Sequence, residues 1–145
     1  MRFDEVLATV VQGAQEILTD DGGADRRSLT HADTGERPDA QIGDRQFLLS
    51  VALQPHRRPV MGCARQRAEL LFEARYNNGP GVSARLGLDT ERLTQYLPRL
   101  HQIHADIDRV QVTPVGVAPG DGQVRSGLSI VVDYRSTADL ELNVR

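Results

Sequence analysis

Between residues 65 and 76 apolar and charged positions alternate almost one for one. Ala68, Leu70, Phe72, Ala74 and Tyr76 fall on one side of the alternation. Arg65, Arg67, Glu69, Glu73 and Arg75 fall on the other, and Leu71 breaks the pattern. Successive side chains of a strand point to opposite faces, so the spacing predicts a strand with one buried and one charged face. Residues 45–53 alternate as well, with Phe47, Leu49, Val51 and Leu53 on one face and Gln46, Ser50, Ala52 and Leu48 on the other. The connection at 54–63 holds Pro55, Pro59 and Gly62 and reads as a turn or irregular loop. The two strands then pair most simply as antiparallel neighbours, with His56, Arg57 and Arg58 near the tip.

Helical spacing marks two other stretches. Phe3, Val6, Leu7, Val10, Ala14, Ile17 and Leu18 recur on one stripe. Asp4 and Glu5 lie where the helix dipole favours acids, and Asp20-Asp21-Gly22-Gly23 supplies a stop, so a helix is expected at 3–19. Asn77-Asn78-Gly79-Pro80-Gly81 ends the hairpin with turn formers. A second helix is expected at 89–105, capped by Asp89, with Leu93, Tyr96, Leu97, Leu100 and Ile103 on its apolar side. Pro98 should kink it or divide it in two. Residues 107–117 are valine-rich, and Pro114 there suggests a bulge or an edge strand. Ala118-Pro119-Gly120-Asp121-Gly122 is a turn, and a last strand directs Leu128, Ile130, Val132 and Tyr134 inward.

The expected order is therefore α-β-β-α-β-β. It describes a single α+β domain over 1–145, with two helices packed on one face of a mainly antiparallel sheet of about four strands. Two segments stand apart. Residues 20–44 form a long polar loop carrying Arg26 and Arg27, and a loop of that length is usually functional or disordered. The tail at 136–145 is polar but keeps Leu140, Leu142 and Val144, which suits docking on a neighbour as well as a frayed end.

Composition narrows the function. The 145 residues are 39% hydrophobic, enough for one core, and only 4% aromatic. The net charge of -3 argues against non-specific nucleic-acid binding as the main task. All 17 basic residues are Arg, whose planar fork pairs with carboxylates in a bidentate manner. Cys63 is the only cysteine, so a disulfide framework within the chain is excluded. The first residues lack the apolar run of a secretory signal, and no stretch is long and apolar enough to span a bilayer; a protein made and kept in a cytoplasm is expected.

A search for chemistry yields little. Phosphate loops need a Lys that the chain lacks, and Gly120-Asp121-Gly122 sits in a hairpin turn instead of between a strand and a helix. His101 and His104 could share a helix face, but the spacing places no third metal ligand. Glu69 and Glu73 lie roughly 13 Å apart along one strand face, too far for an acid–base pair, and read better as salt-bridge rungs with the neighbouring arginines. The expectation is a chain that is not an enzyme and takes no metal or cofactor.

The element order, the stretch Ala68-Glu69-Leu70-Leu71-Phe72-Glu73-Ala74-Arg75-Tyr76, the Gly79-Pro80-Gly81 turn, the Asp89-Thr90-Glu91-Arg92 helix opening and the strand Leu128-Ser129-Ile130-Val131-Val132-Asp133-Tyr134 together resemble the tail terminator (tail-completion) proteins of long-tailed phages. The 20–44 loop and Pro98 have no counterpart in that pattern. The resemblance implies a virion protein of the tail or neck, assembled in the host cytoplasm. It would form a homo-oligomeric ring, typically a hexamer, that caps the tail tube, ends tube polymerisation and joins the head. Its implied partners are itself, the tail tube protein and a head–tail connector, with DNA passing through the lumen. Arg65, Arg67, Glu69, Glu73 and Arg75 are the interface candidates, with Arg26, Arg27, Arg57 and Arg58 on the loops. The alternatives are another neck or connector subunit, and a small cytoplasmic ligand-binding or enzymatic domain.

Overall fold

The alternating stretch is the central strand of a five-stranded sheet. The computed structural model describes residues 1–19, 29–31, 45–57, 65–77, 79–116 and 123–136. In chain order these form helix α1 (Phe3–Thr19), strands β1 (Leu29–His31), β2 (Arg45–Arg57) and β3 (Arg65–Asn77), and helix α2 (Val82–Tyr96). A 3-10 helix (Leu97–Gln102) and strands β4 (Ile107–Val115) and β5 (Gln123–Arg135) follow. The sheet order is β1-β2-β3-β5-β4. The four long strands are antiparallel neighbours, as the α-β-β-α-β-β order requires. Of the tail at 136–145, only Ser136 lies within the described residues.

Two-sided pairing sets the core. β3 pairs with β5 from Arg65↔Arg135 to Asn77↔Gln123 without a register shift. An unbroken register keeps the parity of both strands, so every apolar residue of β3 opposite β5 meets an apolar or small one on the same face. Ala68, Leu70, Phe72 and Tyr76 of β3 and Leu128, Ile130, Val132 and Tyr134 of β5 are all 2% exposed or less. Phe47 stacks on Phe72 with ring centroids 5.7 Å apart and meets Tyr76 edge-on at 6.4 Å. Val6, Val10, Ala14 and Leu18 of α1 and Leu93 and Leu97 of the second helical segment close this face, completing one buried cluster. Each large side chain so buried contributes about 1.5–3 kcal/mol relative to exposure.

The first helix occupies the expected span. At its middle Gly13 is buried, and a Cβ there would stand 3.1 Å from Leu100, so the missing side chain lets α1 approach the 3-10 helix closely.

Four expectations need correction. The 20–44 loop is not wholly without structure, because Leu29–His31 runs parallel to Phe47–Leu49 as β1. β2 extends to Arg57, past Pro55, so His56 and Arg57 lie in the strand and not at a loop tip. α2 begins at Val82, seven residues before Asp89. Gly81, at φ 77, takes the left-handed conformation that lets the chain turn into it. Asp89 therefore caps nothing; it is a buried acid inside the helix, bound by the Tyr76 hydroxyl at 2.8 Å with Arg85 Nε 3.7 Å away. Finally, Leu53 is not on the core side. Val51 opposes Leu70 but Leu53 opposes Glu69, so an irregularity between them shifts parity and turns Leu53 to the charged face, where it is 49% exposed.

The proline expectations hold in substance. The α-helix gives way to the 3-10 helix at Leu97, and Pro98 occupies its first turn. β4 is a sheet edge, although its irregularity falls between Ile107 and Arg109 instead of at Pro114. Replacing Phe72 by Ala should cost about 3–5 kcal/mol in urea unfolding, because it removes a buried ring that stacks on Phe47 in the core. Leu53→Ala should stay within about 0.5 kcal/mol.

Candidate assembly interface

The face of the sheet opposite the helices carries the charges. β3 presents Arg65, Arg67, Glu69, Leu71, Glu73 and Arg75 there, all half-buried. Register places β5 residues beside them: Asp133 against Arg67, Val131 against Glu69, Ser129 against Leu71, Arg125 against Arg75. β4 adds Arg109 opposite Asp133 and Gln111 opposite Val131. β2 adds Leu53 beside Glu69 and Ser50 beside Leu71. Among the described residues no helix or strand covers this face.

The charges resolve into two clusters. At one end the Arg67 guanidinium donates to both carboxylate oxygens of Asp133, from Nε at 2.8 Å and from a terminal nitrogen at 3.3 Å. Asp133 is 1% exposed although it points away from the core, and Arg67 is 34% exposed above it. The hydrogen bond to Asp133, and then the carboxylate charge, raise the Arg67 pKa above its ordinary value despite desolvation. Beside this pair Arg65 binds both carboxylate oxygens of Asp108. At the other end Glu73 is shared by two arginines, Arg75 at 2.9 Å on its own strand and Arg125 at 3.7 Å on β5. Glu73 thus makes the expected rung.

Between the clusters lies a different surface. Leu71 and Val131 are half-buried, and Leu53 is exposed. Glu69 stands among them without an ion-pair partner among the described residues, acting on Arg67 only at longer range. The face is therefore an apolar centre with one free carboxylate, flanked by two guanidinium–carboxylate clusters. Bonded charges around a less polar centre are the layout of protein interfaces.

The candidate residues are thus partly brought together. Arg65, Arg67, Glu69, Glu73 and Arg75 share one face. Arg57 pairs through its backbone with Gln66 at the end of β2. Arg26, Arg27 and Arg58 lie outside the described residues. Asp133, Asp108 and Arg125, the partners that organise the clusters, are not among the residues singled out from the sequence. Their signal was present: in a strand with Leu128, Ile130, Val132 and Tyr134 inward, Asp133 and Arg125 necessarily face outward.

Other candidate chemistry is dispersed. His101 turns its ring nitrogen to the Pro98 carbonyl at 2.7 Å, within the 3-10 helix, while His104 lies beyond that helix's end. Among the described residues no group of three or more His, Cys, Asp or Glu side chains could hold a metal ion. No described helix is long and apolar enough to cross a membrane. A cleft of about 440 Å³ opens between α1 and the second helical segment, lined by Ile17, Arg92, Tyr96, Arg99, Leu100 and Ile103 among others. Arg99 lies 5.0 Å over the Tyr96 ring at its side. Compared with known proteins, the chain matches no family model and no curated sequence.

Removing Arg67 leaves Asp133 buried without its bidentate partner. Arg67→Ala should cost about 1–3 kcal/mol, less than for a fully buried pair because Arg67 is one-third solvent-exposed (34%). Glu69→Ala should change stability by less than about 0.5 kcal/mol. Thermal and urea unfolding of the two variants check the contrast.

Proposed function

We propose that the chain is a structural subunit that assembles with copies of itself into a ring, acting as a tail terminator of a long-tailed phage. In this reading the ring caps the tail tube, stops its growth and offers a surface to the head–tail connector. The observation that carries the proposal is the outer sheet face. Asp133 is buried there, Glu73 holds two arginines, and the apolar Leu53, Leu71 and Val131 stand around Glu69 between the charged clusters. Glu69 remains at that centre to meet a cation of a partner. Guanidinium groups suit such contacts because they give up water more readily than ammonium groups and bind carboxylates through two hydrogen bonds.

The resemblance in element order supports the choice of a tail terminator over another assembling protein. A different neck subunit would use the same face on a different neighbour. A second reading rests on the cleft between the helices, whose volume and lining of apolar side chains with Arg92, Arg99 and Glu16 suit a small polar or aromatic ligand.

Size-exclusion chromatography with light scattering tests the proposal directly. Intact protein should run as a closed oligomer, and added tail-tube protein should shift it further. Joint reversal of Glu69 and Glu73 to Arg should weaken assembly. Glu69→Arg alone should do so without lowering the melting temperature by more than a few degrees, since it breaks no internal pair. A double variant that assembles like wild type would show that this face is not the interface. A wild-type monomer that a small polar or aromatic compound stabilises against heat would favour the second reading.

A further inference from the structure

We infer that β4 pairs antiparallel with the β4 of a second copy of the chain, about a two-fold axis at Gln111, so that two five-stranded sheets run on as one. β4 ends the sheet, and no described strand lies on its far side. The ladder fixes which main-chain groups face that side. The Arg135 amide donates to the Asp106 carbonyl at 2.7 Å, so the odd-numbered residues of β5 turn toward β4. Register sets Val131 opposite Gln111 and Ser129 opposite Thr113. Gln111 and Thr113 therefore bond β5, and Val110, Val112 and Pro114 direct their main-chain groups to the free edge.

Edge strands are commonly blunted by charge, proline or a bulge. Here two such devices bracket a clean interval. A register irregularity between Ile107 and Arg109 precedes it. Pro114, which has no N–H to offer the edge, follows it. Residues 109–113 remain, and Gln111 is their midpoint.

That interval is complementary to itself. With Gln111 opposite the same residue of the second copy, Val110 meets Val112 and Arg109 meets Thr113. A glutamine amide both donates and accepts, so it can bond its own equivalent. The two valine pairs exchange about four main-chain hydrogen bonds. No like charges come opposite. Moving the axis by one residue sets Pro114 or Asp108 against a valine, and moving it to Arg109 sets that arginine against itself. Apolar surface lies alongside to be covered. Val112 packs only in part against the core, Val115 is 38% exposed, and Ile103, after the 3-10 helix that packs along β4, is 74% exposed. Such a contact is isologous and closes at two copies, whereas a ring needs a heterologous one. It uses the sheet edge and not the Glu69 face, and it does not rest on the ring reading.

The test uses full-length chains in a Cys63→Ser background under oxidised glutathione. Gln111→Cys should give a disulfide-linked dimer, because opposite residues of an antiparallel pair have Cβ atoms about 4.5–5.5 Å apart. Arg109→Cys should not link to itself, since its equivalent lies roughly 13 Å along the strand. Mixed with Thr113→Cys, it should yield a dimer with one chain of each kind. Self-linkage of Arg109→Cys as readily as of Gln111→Cys would overturn the register. Val112→Pro removes a donor from the free edge and none from the β5 ladder. It should raise the concentration at which the dimer dissociates by roughly tenfold or more, with the melting temperature within a few degrees of wild type. An oligomer that survives Val112→Pro and gives no Gln111→Cys cross-link would sink this inference alone. A dimer that links through Gln111→Cys and is indifferent to Glu69→Arg would sink the ring reading alone. Wild-type protein that stays monomeric would remove both.

Discussion

Everything in this fold depends on β3 being paired along both edges. A strand in that position cannot slip by one residue without sending Leu70 and Phe72 to the charged face and Glu69 and Glu73 into the core. The unbroken register with β5 enforces this on one side. The aromatic contacts of Phe47 with Phe72 and Tyr76 enforce it on the other. The helices are consequences of that choice. They cover the face that is apolar because the register made it so, and Thr90 of α2 reaches Ser126 of β5 at 3.4 Å across the join.

The same register organises the opposite face. Because Asp133 lies directly across from Arg67, and Arg125 across from Arg75, the carboxylates and guanidinium groups meet with little freedom to rearrange. A surface salt bridge between mobile side chains contributes little. One held between two neighbouring strands, with its carboxylate buried, behaves more like part of the scaffold. The charged clusters frame the apolar centre and leave Glu69 as the group with bonding capacity to spare.

The sheet and the first helix were legible in the sequence because they depend on periodicity alone. The inward sets of β3 and β5 follow from period two, and the stripe of α1 from period 3.6. What escaped depended on contacts distant in the chain. Asp89 looked like a helix cap because Asp-Thr-Glu-Arg is what a cap resembles; only the approach of Tyr76 shows that it is a buried acceptor. Leu53 looked like core because alternation was extended across a shift that only strand pairing reveals. The three-residue β1 is too short to carry a period. Half of the candidate interface was legible for the same reason: β3 displays its own charges, whereas Asp133, Asp108 and Arg125 join them only through tertiary pairing.

One consequence follows from a cation set made only of arginine. A face built with lysine would lose its positive charges as alkalinity approached the ammonium range, and its contacts would loosen with pH. Guanidinium groups keep their charge throughout, and Asp133 strengthens that hold on Arg67. What remains variable is screening: the two clusters, centred on Arg67 and Glu73 of one strand, stand roughly 20 Å apart by strand rise, about twice the Debye length of about 10 Å at 0.1 M salt, so they feel each other little there and more only as salt falls. Ionic strength is the solution variable that changes how far the exposed charges of this face act on one another.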